Sequence, residues 1–187
     1  MKLPNQITLG RLVLTIVGLV VLALHPLVAP GAWWGTWVVF GLLFVASATD
    51  ALDGYVARRT GQTSRVGRRL DPFVDKILIC GTLILLLRLP SLAELLPAWF
   101  VVVVVAREFF VTTVRGMVEA TGRSFAADNL GKWKMTAQCV FVAALVAYQG
   151  GWEWTRPVAV AFLWISLALT VLSGLNYQRK AWHALEL

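Results

Sequence analysis

Apolar residues run along this chain in long stretches, and polar ones gather in the short intervals between them. From Leu12 to Thr49 a run of 38 residues holds no Asp, Glu, Lys or Arg. It is broken only by "HPLVAPG" at 25–31, the proline and glycine punctuation of a turn. Each half approaches the roughly 20 apolar residues that cross a bilayer core as a helix. The same criterion carried onward predicts six transmembrane helices, near 7–29, 33–58, 68–89, 92–116, 130–150 and 157–179. The connections are short and no internal repeat or low-complexity tract interrupts them, which predicts one all-α integral membrane domain over residues 1–187.

Composition sharpens that picture. The chain is 58% hydrophobic and only 14% charged, where a soluble domain is about a quarter charged. Its net charge of +7 would suit a nucleic-acid partner, but the distribution argues for a membrane and no nucleic acid. With a cytoplasmic N-terminus, 15 of the 17 Lys and Arg fall toward one side and only Arg88 and Arg156 toward the other. This is the positive-inside pattern and predicts both termini in the cytoplasm. The same cations would attract anionic lipid headgroups and anionic substrates. A secretory signal peptide is the alternative for residues 1–29, but the apolar run exceeds the usual 7 to 15 residues, roughly, of such a segment. Cys80 and Cys139 lie in apolar spans without metal or disulfide spacing and read as small buried hydrophobes. Trp33, Trp34, Trp37, Trp152 and Trp154 fall near the outer turns and read as interfacial belt residues.

Against this apolar background the stretch "ATDALDGYVARRTGQTSRVGRRLDPFVDK", residues 48–76, carries four aspartates. On a helix Asp50 and Asp53 stand about 60° apart and Asp71 and Asp75 about 40° apart, so each pair shares a face. The polar, Gly-containing connection between the pairs predicts that one helix folds back on the next, and the four carboxylates can then converge near the cytoplasmic interface. Ionisable groups at membrane depth are costly, which makes a functional reading the default. Four facing anions repel unless protons or a divalent cation relieve them. Oxygen ligands without His or Cys suit magnesium or manganese, and two ions can be shared among four aspartates. The alternative is that they cap helices or pair with neighbouring arginines.

The pattern Asp50-x2-Asp53-Gly54-x2-Ala57-Arg58-x8-Gly67-x3-Asp71-x3-Asp75 resembles the signature of the CDP-alcohol phosphatidyltransferase family at all eight fixed positions. The resemblance implies a fold of six transmembrane helices around a cytoplasm-facing polar active-site cavity, in a bacterial inner membrane, and a homodimer. It also implies that Asp50, Asp53 and Asp71 bind Mg2+ or Mn2+, two ions in all. Asp75 matches the general base and is a further candidate metal ligand. Asp50, Asp53, Gly54, Ala57, Arg58, Gly67 and Asp71 match positions that hold the CDP-lipid. The reaction implied is attack of an acceptor hydroxyl on the phosphatidyl phosphorus of CDP-diacylglycerol, with CMP leaving.

Three further stretches bear on the acceptor: "LPNQITLGR" at 3–11, "AREFFVTTVRGMVEATGR" at 106–123 and "LGKWKMTAQ" at 130–138. Arg107 and Arg115 lie about 80° apart on a helix, and Lys132 and Lys134 open the following span. Several cations near one cavity suggest an anionic acceptor. Within the family, these stretches resemble members that use sn-glycerol 3-phosphate and form phosphatidylglycerophosphate. The resemblance implies that Arg107, Arg115, Lys132 and Lys134 hold the acceptor phosphate, with Asn5, Thr8, Arg11, Glu108 and Gln138 supporting the cavity. Met135 departs from that pattern, which has a small polar residue there. The residues alone also allow an Arg107–Glu108 ion pair inside the bundle, interfacial lysines whose heads reach the headgroups, and an Asn5 and Arg11 that cap and anchor the first helix. Inositol phosphate, serine or phosphatidylglycerol are the alternative acceptors, the last making a cardiolipin synthase. A six-helix divalent-cation transporter is the reading from another class, and it has no need of Gly54, Ala57, Arg58 and Gly67 at fixed offsets.

Overall fold

The computed structural model describes residues 3–24, 36–38, 40, 41, 45, 65–121 and 129–185, and among them there is no strand. Among the described residues five long helices carry the fold: α1 (Leu3–Leu24), α2 (Arg65–Leu86), α3 (Ala98–Ala120), α4 (Asn129–Gln149) and α5 (Arg156–Leu185). Four of them overlie the first, third, fifth and sixth expected spans to within a few residues, except that α5 runs on to Leu185. The second expected span, 33–58, lies outside the described residues apart from helical backbone at 36–38, 40, 41 and 45.

The fourth span is corrected at its start. A helix from 92 was expected, yet 90–92 form a single 3-10 turn and α3 begins only after Pro97. Pro97 sits at φ −69° and ψ 138°; proline lacks the N–H a preceding turn would use and biases the residue before it away from helix. At the far end of α4, Gly151 takes φ 94°. Its N–H donates to the Tyr148 carbonyl at 3.0 Å while Trp152 N–H reaches back to Ala147 at 3.1 Å, the paired closure that lets a left-handed glycine end a helix.

α1 lies along α2, α3 along α5, and α4 against α5, the most extensive of the contacts. α1 and α2 run in the same direction, because Arg11 of α1 meets Asp75 of α2 while Arg88, just beyond α2, donates to the carbonyls of Leu22 and Ala23. Arg88 thereby satisfies carbonyls that the end of α1 leaves without intrahelical partners. Midway along the seam, a Cβ at Gly81 would lie 2.9 Å from Leu19 Cδ1. Absence of a side chain there lets the Leu19 side chain pack against the α2 backbone, as expected where van der Waals packing between helices replaces water exclusion as the source of association.

Apolar and polar layers separate along the bundle. Leu22, Leu83, Leu86, Leu96, Phe100 and Phe141 are fully buried in one layer, with the Phe100 and Phe141 rings edge to face at 5.2 Å. The outer surface carries Val13, Val20, Val102, Phe109, Trp164 and Leu172, all exposed. α5 with the turn before it, Glu153–Trp182, contains an 18-residue window of mean hydropathy 2.3 and is long and apolar enough to cross a bilayer. An apolar outside of this extent belongs to a membrane protein. At the same end as Gly151, Trp37 and Trp152 meet at 4.5 Å and Trp152 stacks on Trp154 at 5.7 Å.

Candidate active site

The polar layer is built from residues that α1 to α5 bring to the end of the bundle away from that tryptophan group. Arg11 is the first. It is buried on the face of α1 that also buries Thr15 and Leu22, and its Nη2 lies 3.3 Å from Asp75 Oδ1. The Arg11 side chain is 1% exposed and that of Asp75 29%. A buried guanidinium needs such a partner, and the carboxylate it orients still reaches solvent. Of the four aspartates only Asp75 is among the described side chains. Asp50, Asp53, Gly54, Ala57 and Arg58 lie outside the described residues; Gly67 and Asp71 fall on α2, and Asn5 and Thr8 on α1, with side chains outside the described ones.

The second part centres on Glu108, buried on α3. Arg107 Nη1 donates to its Oε1 at 3.0 Å, and Lys134 Nζ, from α4, donates to the same oxygen. Lys134 is itself buried. The Arg107–Glu108 ion pair that the sequence allowed is therefore formed, and it extends to Lys134. Thr112, one turn beyond Glu108, donates to the Glu108 carbonyl at 2.6 Å and accepts from Lys76 of α2. Gln138, buried on α4, donates to Thr170 Oγ1 at 3.3 Å.

α5 completes the layer with neutral groups at i, i+3 and i+7. Thr170, Ser173 and Tyr177 are buried along one face, the periodicity of a helix stripe. Ser173 Oγ accepts from Arg107 Nη2 at 2.9 Å and donates to the Thr170 carbonyl at 3.2 Å. The Tyr177 hydroxyl accepts from Arg115 Nη2 at 2.9 Å. Its ring lies 5.6 Å from the Arg107 guanidinium carbon and 5.7 Å from that of Arg115, within cation–π range.

Beside the Arg11–Asp75 pair, four cations, Lys76, Arg107, Arg115 and Lys134, thus share this layer with the carboxylate of Glu108, which leaves three positive charges in excess among the described side chains. Arg107 Nε and Arg115 Nε are buried and find no hydrogen-bond partner. Buried donors of this kind are ordinarily satisfied. An anion with several oxygen acceptors is the chemistry that would satisfy both and offset the charge.

Of the four residues expected to hold the acceptor phosphate, the structure brings Arg107, Arg115 and Lys134 together. Lys132 is exposed; two residues before Lys134, it stands about 200° away around the helix. Lys76, Ser173 and Tyr177 were missed as site residues. A helix wheel of 157–179 displays the Thr170, Ser173, Tyr177 stripe in an otherwise apolar span, and Lys76 enters the sequence pattern only as one of the 15 cations on one side.

The description "CDP-alcohol phosphatidyltransferase" belongs to the family model that matches residues 1–172. A Bacillus subtilis protein called CDP-diacylglycerol--glycerol-3-phosphate 3-phosphatidyltransferase is 37% identical over 197 residues, covering 99% of this chain and 97% of the relative. A Cereibacter sphaeroides protein of the same name is 31% identical, covering 96% and 95%. An Oryza sativa protein called cardiolipin synthase (CMP-forming) is 30% identical, covering 99% of this chain but 59% of the relative.

Proposed function

Because the chain belongs to the CDP-alcohol phosphatidyltransferase family, we propose that it transfers the phosphatidyl group of CDP-diacylglycerol to sn-glycerol 3-phosphate. The products are phosphatidylglycerophosphate and CMP. The observation that carries the acceptor is the buried layer with three excess positive charges and two unsatisfied arginine Nε donors, which suits a phosphorylated acceptor better than a neutral alcohol. The names of full-length relatives agree with it.

An acceptor oxygen forms a new bond to the lipid-proximal phosphorus as the bond from that phosphorus to the CMP oxygen breaks. Asp75, oriented by Arg11, takes the proton of the attacking hydroxyl. Arg107 and Arg115 hold the acceptor phosphate, with Lys76 and Lys134 adding to the field and Glu108 fixing Arg107 and Lys134. Lys132 steers the acceptor from the exposed face. Gly54, Ala57, Arg58 and Gly67 receive the CDP moiety, the small residues by letting it approach the backbone and Arg58 by pairing with the diphosphate.

Asp50, Asp53, Asp71 and Asp75 would hold two Mg2+ or Mn2+ ions. Asp75 fits that role as a hard oxygen donor that remains 29% exposed. When bound, such ions supply charge neutralisation for phosphoryl transfer. In the complete reading the chain is one domain with six spans, an active-site cavity open to the cytoplasm, both termini cytoplasmic, in a bacterial inner membrane and as a homodimer.

The test is CMP release from CDP-diacylglycerol by purified protein with magnesium, given glycerol 3-phosphate, inositol phosphate, serine, phosphatidylglycerol or no acceptor. Release that requires glycerol 3-phosphate is expected. Release with phosphatidylglycerol instead would make the chain a cardiolipin synthase, and cation uptake in sealed vesicles without any release would revive a transporter.

A further inference from the structure

Arg107 and Arg115 are two turns apart on α3 and carry like charges into a buried layer, so something must hold both in place against repulsion. Glu108 does this for Arg107 and not for Arg115: among the described residues its cation partners are Arg107 and Lys134, both on one oxygen. For Arg115 the hydrogen-bond partner is neutral, the Tyr177 hydroxyl at 2.9 Å. The same ring lies within 6 Å of both guanidinium carbons, and Tyr177 is 3% exposed. One side chain of α5 therefore touches both arginines, by a hydrogen bond to one and by its π face to each.

The bonds these arginines make have a common feature. Arg107 commits Nη1 to Glu108 and Nη2 to Ser173, Arg115 commits Nη2 to Tyr177, and both keep Nε buried without an acceptor. An arginine free to turn would place Nε against an acceptor or solvent. The fold instead clamps the outer nitrogens and leaves the inner edges unsatisfied.

We infer that Tyr177 is a positioning residue for the acceptor phosphate: it sets the orientation of Arg115 and its spacing from Arg107, so that a phosphate meets both guanidiniums already aligned. The inference rests on the acceptor-phosphate reading of those arginines. Tyr177 itself adds no charge and does not touch the reacting atoms. Preorganisation of this kind acts on binding of the phosphate end of the acceptor, remote from the hydroxyl that reacts, so its loss falls on KM rather than on kcat.

The experiment compares Tyr177→Phe, which keeps the ring and loses the hydroxyl, with Tyr177→Leu, which loses both, and with Arg115→Gln. KM for glycerol 3-phosphate, KM for CDP-diacylglycerol and kcat are measured for each, along with the thermal midpoint in detergent. Tyr177→Phe is expected to raise KM for glycerol 3-phosphate roughly tenfold, the scale of one hydrogen bond to a charged group, with KM for the CDP-lipid, kcat and the midpoint close to wild type. Tyr177→Leu is expected to raise the same constant further. If Arg115→Gln raises that constant and Tyr177→Phe, equally well folded, does not, the inference about Tyr177 is overturned while the phosphate reading stands. If Tyr177→Phe shifts both Michaelis constants equally, its role is general packing and the inference again falls. If Arg115→Gln leaves KM for glycerol 3-phosphate unchanged, the phosphate reading itself is lost and this inference with it.

Discussion

Arg11 and Asp75, 64 residues apart in sequence, form a 3.3 Å ion pair between α1 and α2 in which the cation is buried and the carboxylate is partly open. The pair links the first helix to the last aspartate of the signature. It gives Arg11 a role that a helix anchor at the headgroups would not have.

Asp75→Asn is expected to lower kcat by about 10²- to 10⁴-fold, the range for loss of a positioned general base, while CDP-lipid binding is retained. Arg11→Ala leaves the carboxylate but removes what orients it, and a smaller loss of kcat is expected. Near-wild-type turnover by Asp75→Asn, with lipid bound normally, would remove Asp75 from the base role.

Glu108→Gln leaves Lys134 buried beside a neutral amide, and breaking a buried pair costs about 3 kcal/mol. A clear drop in the thermal midpoint in detergent is the expected result. Adding Lys134→Met should recover part of it, because the unpaired charge is then gone, and the double-mutant cycle reads the coupling directly. Strict additivity of the two substitutions would mean that the contact between them carries no net coupling.

Chelation with EDTA is expected to stop CMP release, and magnesium or manganese to restore it. Oxygen-only donors favour such hard ions over soft ones. Release that continues unchanged in a chelated preparation would leave the aspartates without their proposed metal role.

Gly81→Leu is expected to destabilise by about 1 to 3 kcal/mol through overpacking, because the new side chain enters space held by Leu19, 2.9 Å from where its Cβ would stand. Gly81→Ala should cost less, since the obstructing atom is the end of a flexible side chain. Combining Gly81→Leu with Leu19→Ala should restore much of the thermal midpoint; no recovery would place the strain elsewhere.

The hydrophobic pattern placed α1, α2, α4 and α5 well because long apolar runs between short polar intervals mark helices without reference to any neighbour. It failed at residues 92–97, where apolar leucines continue the pattern but Pro97 dictates where the helix starts. Charge position was legible for Arg107, Arg115 and Lys134, since cations at membrane depth stand out against valine and leucine. Partnership was legible only for the adjacent Arg107 and Glu108: that Glu108 also takes Lys134, or that Arg11 turns to Asp75, depends on how helices distant in sequence align. Tyr177 and Ser173 stayed hidden for a related reason. Neutral residues in a span look like ordinary membrane composition until the helix facing them is known to carry two arginines.

The seam between α1 and α2 is fastened at three levels, by Arg11 and Asp75 at one end, by the close approach of Leu19 to Gly81 midway, and by Arg88 on the carbonyls of Leu22 and Ala23 at the other. Two helices fastened from Asp75 to Arg88 shift as a single plank over that length. For the proposed transfer, a two-tailed lipid whose head comes to rest beside Asp75 is therefore expected to enter through another wall of the bundle, its acyl chains trailing outward away from the α1–α2 seam.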